Sequence, residues 1–211
     1  MYAKIAEGRR LEDLVSSFLE SGDHPALRYA TLTLLGYVGQ LAQVHRRLVT
    51  REDLLAELLQ VLSRPEPLRI TPDCPTYGMC AAAEAARVLS VLCVAAGGLK
   101  SREAELWVRL GALSAIASAL EGHVEVTDNF TDFPMVMFMI AGVLLAGAPV
   151  PDSDKVRAAE ASLRLWVERP HWVAPFGGSL ASLLEGHFRG KIMECVPKDL
   201  REQASRVLHE F

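Results

Sequence analysis

The chain has little of what marks most chemical functions. Its 211 residues hold only four cysteines, Cys74, Cys80, Cys93 and Cys195, with no C-x-x-C spacing among them. So few thiols in so long a chain exclude a disulfide scaffold and fit unpaired cysteines in an intracellular protein, with a local Cys74–Cys80 pair as the alternative. Charge of one sign is also missing. The 22 basic and 26 acidic residues give a net charge of −4, which excludes a broad electrostatic grip on nucleic acid. None of the six histidines has H-x-x-x-H or H-E-x-x-H spacing, and none stands beside a cysteine pair, so no metal site is expected. No G-x-S-x-G occurs, and neither Gly97-Gly98 nor Gly177-Gly178 is followed by G-K-[ST], so both pairs read as helix terminators rather than phosphate loops. Asp152 and Asp154 sit at a helix start, where carboxylates suit the dipole. The chain is therefore expected to be no enzyme, with no cofactor and no small-molecule substrate; a site assembled from loops is the alternative. Met1–Glu7 has no continuous apolar run, and Glu7, Glu12 and Asp13 do not suit a transit peptide. The expected location is the cytoplasm, with an organellar matrix as the alternative.

What the chain does have is apolar residues, 50% of the total, at helical spacing almost throughout. Leu11, Leu14, Val15, Phe18 and Leu19 follow the i, i+3, i+4, i+7, i+8 pattern. Ser21-Gly22-Asp23 ends that helix, with Asp23 as the expected N-cap of the next and Pro25 in its first turn. Residues 25–45 are expected to place Leu27, Ala30, Leu34, Tyr37, Val38 and Leu41 on one buried face. Thr50 and Asp53 resemble a capping box before Leu54, Leu55, Leu58, Leu59 and Leu62. Further helices are expected at 79–96, 101–109, 113–120, 135–148, 152–168, 178–188 and from Pro197 onward. Loops with several prolines or polar residues cover 63–78 and 121–132. No strand of useful length is read, and the fold class is all-α.

Residues 133–151 carry no charge. Pro134 near the start and Pro149 and Pro151 at the end confine the helix to 135–148, about 21 Å long, and short for a bilayer span. Its small residues Ala141, Gly142, Ala146 and Gly147 suit close helix packing in a core. Membrane contact is the competing reading.

The octet Ala117–Val124, ASALEGHV, recurs as Ala181–Phe188, ASLLEGHF, with six of eight positions identical at an offset of 64. Glu12-Asp13-Leu14 is echoed by Glu52-Asp53-Leu54 at an offset of 40, a helical-repeat period. His123 and His187 fall at equivalent places and read as repeated turn residues after a C-cap glycine. Residues 8–48 carry Gly8, Leu11, Leu14, Val15, Phe18 and Leu19, a Ser21-Gly22-Asp23 turn, then Ala30, Leu34 and Tyr37. Residues 51–96 and 111–148 carry the same elements less completely. In this pattern the chain resembles the armadillo/HEAT type of helical repeat, over about residues 8–190.

That resemblance implies an α-solenoid of about four repeats, approximately 8–50, 51–109, 110–170 and 171–211, forming one domain. It also implies a non-enzymatic scaffold, adaptor or complex subunit that binds a partner protein along its surface. Peptide-clamping members carry Asn on the groove helix, where this chain has Gly36, Val91 and Leu145 or Ala146; Gly, Val and Ala offer a peptide backbone no side-chain partner. Arg28, Thr31, Arg87 and Ser90, on or beside the face opposite the Leu stripe, are the expected partner-binding residues. Trp172, in the PHWVAPFGG turn, is an expected exposed anchor. Trp107 and Trp166 are expected to fill seams between helices. The densest basic run, Arg46-Arg47 and Arg51 with Arg64 and Arg69 beyond, fits an ordinary surface rich in arginine or a contact with an acidic partner. A membrane-associated subunit using 135–148 is the alternative function.

Overall fold

A computed structural model describes residues 8–22, 24–63, 81–94, 99–122, 149, 151–168 and 196–209. All regular structure among them is α-helical: α1 (Gly8–Leu19), α2 (Pro25–Val38), α3 (Ala42–Leu48), α4 (Glu52–Ser63), α5 (Ala81–Val94), α6 (Ser101–Arg109), α7 (Ala112–Gly122), α8 (Asp152–Glu168) and α9 (Lys198–His209). The all-α expectation holds for these residues, and the borders of α5 to α9 lie within a few residues of those read from apolar spacing.

Each helix starts and stops for a local reason. Gly22 takes φ +34°, a left-handed value that suits glycine, and closes the turn after α1. The cap of α2 is His24 rather than Asp23: its backbone N–H donates to the Ser21 carbonyl at 2.7 Å, and Pro25 follows as the first helical residue. Asp23 itself lies outside the described residues. The expected helix over 25–45 is two helices. α2 ends at Val38, and Leu41 becomes extended, with φ −75° and ψ 122°, before α3 begins. The Thr50–Asp53 capping box does not form. α4 starts at Glu52, and the Asp53 carboxylate instead accepts the Leu54 N–H at 2.8 Å and the Arg51 guanidinium at 3.0 Å. Before α6 the Glu103 carboxylate accepts the Lys100 backbone N–H at 2.8 Å. Gly111, at φ +81°, allows α7 to follow α6 after only two residues.

Among the described helices the pairs are α1 with α2, α4 with α5, and α7 with α8, the members of the last two pairs being separated in sequence by residues outside the described set. The first members also lie side by side, α4 touching both α1 and α7, while α2 lies beside α5. α6 packs on α7, and α9 packs on α8. The core runs through all these contacts: Leu11, Val15 and Phe18 from α1, Leu32, Leu35 and Val38 from α2, Leu54, Leu58 and Leu62 from α4, Ala85, Leu89 and Leu92 from α5, and Ile116 and Leu120 from α7. Each such Leu, fully withdrawn from water, contributes about 1.5–3 kcal/mol. Two polar ties fix the short helices to this core. The Trp107 indole N–H of α6 donates to the Val49 carbonyl after α3, at 3.2 Å, and the ring is fully buried, as expected of a seam residue. His45 of α3 places Nε2 2.9 Å from the Leu92 carbonyl of α5. A carbonyl only accepts, so Nε2 carries the proton there.

The buried face of α2 differs from the expected one. Of the expected face Val38 is buried and Leu34 and Leu41 pack half-buried on the core, but Leu27 and Tyr37 are 45% and 47% exposed, and Ala30 is also exposed. The buried positions are Thr31, Leu32, Leu35 and Val38, about a quarter turn round the helix. The sequence carries two apolar stripes on α2, and packing against α1 and α5 selects the one that the longer stripe hides.

Candidate functional site

The shift of the α2 face moves the expected partner-binding residues with it. The sequence pattern puts Arg28 and Thr31 on or beside the face opposite the Leu stripe, and that side of α2 is the packed one. Thr31 is 4% exposed, and its hydroxyl donates within its own helix, 2.9 Å from the carbonyls of Leu27 and Arg28. It presents almost no surface. Arg28 is half-buried. Its Nη2 donates to Glu57 Oε1 of α4 at 3.1 Å, and its Nε donates to Ser21 Oγ at 3.3 Å. Ser21 is fully buried and donates in turn to the Phe18 carbonyl at 2.5 Å. Arg28 thus ties α2 both to the turn behind α1 and to α4. Ser90 is half-buried on α5, three residues beyond Arg87. Trp172 lies outside the described residues.

Arg87 is the centre of the most organised polar group on the α2–α5 seam. Its Nε and Nη2 both donate to Glu84 Oε2, at 2.9 and 2.7 Å, one helical turn back on α5. Nη2 also donates to the Thr33 carbonyl of α2 at 3.0 Å. The guanidinium carbon stands 5.0 Å from the centroid of the Tyr37 ring, within cation–π range. The guanidinium lies over Gly36, where a Cβ would come within 2.6 Å of its carbon and both terminal nitrogens. A bare backbone at 36 is therefore what lets the plane settle there. In this group the sequence points to Arg87, marks Gly36 only as a place that lacks an Asn, and sets Tyr37 on the Leu stripe. The spacing of Tyr37 with Leu27, Ala30, Leu34 and Leu41 points to core, and the one hint otherwise is the second stripe, Leu32, Leu35 and Val38, that α2 also carries.

Two arginines of the basic run, Arg47 and Arg51, are paired locally, while Arg64 and Arg69 lie outside the described residues. Glu12 of α1 accepts Arg47 Nη2 at 2.7 Å and also pairs with Arg51 Nη1, while Arg51 Nε reaches Asp53 at 3.0 Å. The hydrogen bond from Arg51, aided by Arg47, holds the Glu12 carboxyl below its ordinary range, and Arg51 does the same for Asp53. Arg157 of α8 spans three residues of α7, donating to Ser114 Oγ at 3.2 Å, Ser118 Oγ at 3.0 Å and Glu121 Oε2 at 2.7 Å. Cys93 is buried, and the loss of water pushes its thiol up to about 12, so the nucleophilic thiolate is suppressed.

These arrangements hold helices together and present side chains; none polarises a nucleophile. Among the described residues no three His, Cys, Asp or Glu side chains gather as metal ligands, and no helix is long and apolar enough to cross a membrane. The uncharged helix read at 135–148, the octet copy at 181–188 and the loop at 64–78 lie outside the described residues. The chain matches no protein-family model, no curated protein and no solved structure.

Proposed function

We propose that the chain is a protein-binding α-solenoid of the armadillo/HEAT kind, with about four repeats, acting as a scaffold, adaptor or structural subunit rather than as an enzyme. The observation that carries this reading is the packing order. Helix pairs recur along the chain, and their first members lie side by side in the row α1, α4, α7, with α2 beside α5. Such stacking builds one core from neighbour contacts and leaves a continuous outer surface. The short helices α3 and α6, each just ahead of a longer one, add a second repeated element. The near-neutral charge suits a protein surface as target better than nucleic acid. The cytoplasm is the proposed place of action.

Site-specific photo-crosslinking in cells tests the reading. A benzophenone amino acid is placed in turn at Ala56 and Gln60 on α4 and at Ser90 on α5, in the full chain. Discrete crosslinked protein species, differing with position, are expected. Absence of any species at all three positions would overturn the binding role.

A further inference from the structure

Resting on the protein-binding reading above, the geometry points to α2 as the docking face for one amphipathic helix of a partner protein, its apolar stripe covering Leu27, Ala30, Leu34, Tyr37 and Leu41 and its flanking carboxylates facing Arg87. The spacing comes first. On α2, Leu27, Ala30, Leu34 and Tyr37 recur at steps of three, four and three, the a/d pattern by which two helices interlock. The four on α2 span 11 residues, a ridge of about 15 Å, and Leu41 lies past the helix end, at the cap of α3, where helical spacing no longer applies.

Exposure comes second. Among the described residues the large apolar side chains open to water are Leu27, Tyr37 and Val156, and two of these three belong to this ridge. Leu34 and Leu41 are half-buried, so they form its floor, and Ala30 is a low point between Leu27 and Leu34. Leu34 and Leu41 already pack against the core, and the surplus beyond the buried Thr31, Leu32, Leu35 and Val38 face is the exposed pair Leu27 and Tyr37.

Charge selects the occupant. No Asp or Glu occurs in α2. At the rim stands Arg87, whose side chain is 33% exposed while that of its partner Glu84 is only 11% exposed. The outward member of the pair is therefore the cation. Nε and Nη2 are committed to Glu84 and the Thr33 carbonyl, and Nη1 makes no hydrogen bond among the described residues, leaving two N–H groups for a carboxylate. A second copy of α2 would bring no carboxylate of its own to this rim, and would set one Arg87 against another. An extended peptide would need a partner for each backbone N–H and C=O, and Leu27, Ala30 and Leu34 offer none. An acidic-flanked helix satisfies its own backbone and supplies both the apolar stripe and the counter-charge.

The test uses fluorescence anisotropy with the full chain and two dye-labelled helical probes of three heptads, with Leu at a and d and either Glu or Lys at e and g. The Glu probe is expected to bind about ten-fold or more tightly than the Lys probe at low salt. Leu27→Arg and Tyr37→Ala should each weaken the Glu probe by about ten-fold, the range of an interface anchor. Leu27→Arg should leave circular dichroism and unfolding midpoint unchanged, while Tyr37→Ala should keep the helical spectrum with a small drop in midpoint from its lost contact with Arg87. Equal binding of the two probes, or undiminished binding by Leu27→Arg, would overturn the proposal. So would a dimer in sedimentation that Leu27→Arg dissolves, since the occupant would then be a second copy. Crosslinks from Ala56, Gln60 and Ser90 that persist in the Leu27→Arg chain, together with lost probe selectivity, would sink this inference alone and leave the protein-binding reading intact.

Discussion

Helices α2 and α4 are of similar length and rich in leucine, yet they spend it differently. α4 buries Leu54, Leu55, Leu58, Leu59, Val61 and Leu62 and keeps Glu52, Asp53, Ala56 and Gln60 outside. Its apolar residues do one job, the core, and sit between α1, α5 and α7. α2 buries a comparable face but leaves Leu27 and Tyr37 in water, with an arginine from α5 laid against the tyrosine. Where apolar content matches the buried face, a helix is explained by folding. Where it exceeds that face, the surplus asks for another partner.

The contrast makes graded predictions. The largest effect belongs to α4: Leu58→Ala should cost about 2–5 kcal/mol in urea unfolding, because the side chain is fully buried and leaves a cavity. A cost near that of a surface change would break the assignment of α4 as core. The Arg28–Glu57 tie between α2 and α4 is half-buried, and Glu57→Gln should lower stability by about 1 kcal/mol, measured against Arg28→Ala in a double-mutant cycle. A coupling of zero would remove the only ion pair joining the two helices among the described residues. Next, Arg87 and Tyr37 should couple by about 0.5–1 kcal/mol at their partly exposed contact, read from the cycle Arg87→Met, Tyr37→Leu and the pair.

The smallest effect is electrostatic and lies on α1. Glu12 is held below its ordinary value of 4.5 by Arg51 and Arg47. A carboxylate depressed in the folded state adds stability above its unfolded value, and this is lost as pH falls through the folded one. Half-exposure limits the gain to about 0.2–1 kcal/mol, smaller at high salt. Glu12→Gln should therefore flatten the fall in stability below about pH 4.5 while leaving the order of the other effects unchanged.

The sequence carries most of the helices in legible form, because a single apolar stripe at 3.6 spacing has one solution. α1 and α4 show this, as does α6, whose ends at Ser101 and Arg109 agree with the sequence reading. α2 resists for a physical reason. Its two stripes lie about a quarter turn apart, and the wider one, with Leu27, Leu34, Tyr37 and Leu41, outweighs the buried one in any count. Only tertiary contacts with α1 and α5 decide between them. The candidate site shares that ambiguity: helical spacing alone puts Thr31 on the surface and Tyr37 in the core, and the packing reverses both. Arg87 was reachable from the helix face alone, but its stacking over Gly36 and Tyr37 depends on two helices brought together across more than fifty residues.

The central claim is that α2 folds on its Leu35 face and holds its Leu27 face in reserve. Urea unfolding of Leu35→Ala beside Leu27→Ala tests it most directly. Leu35 is fully buried and Leu27 is 45% exposed, so the first should lose about 2–5 kcal/mol and the second less than about 1 kcal/mol. Equal losses, or a larger loss from Leu27→Ala, would contradict it.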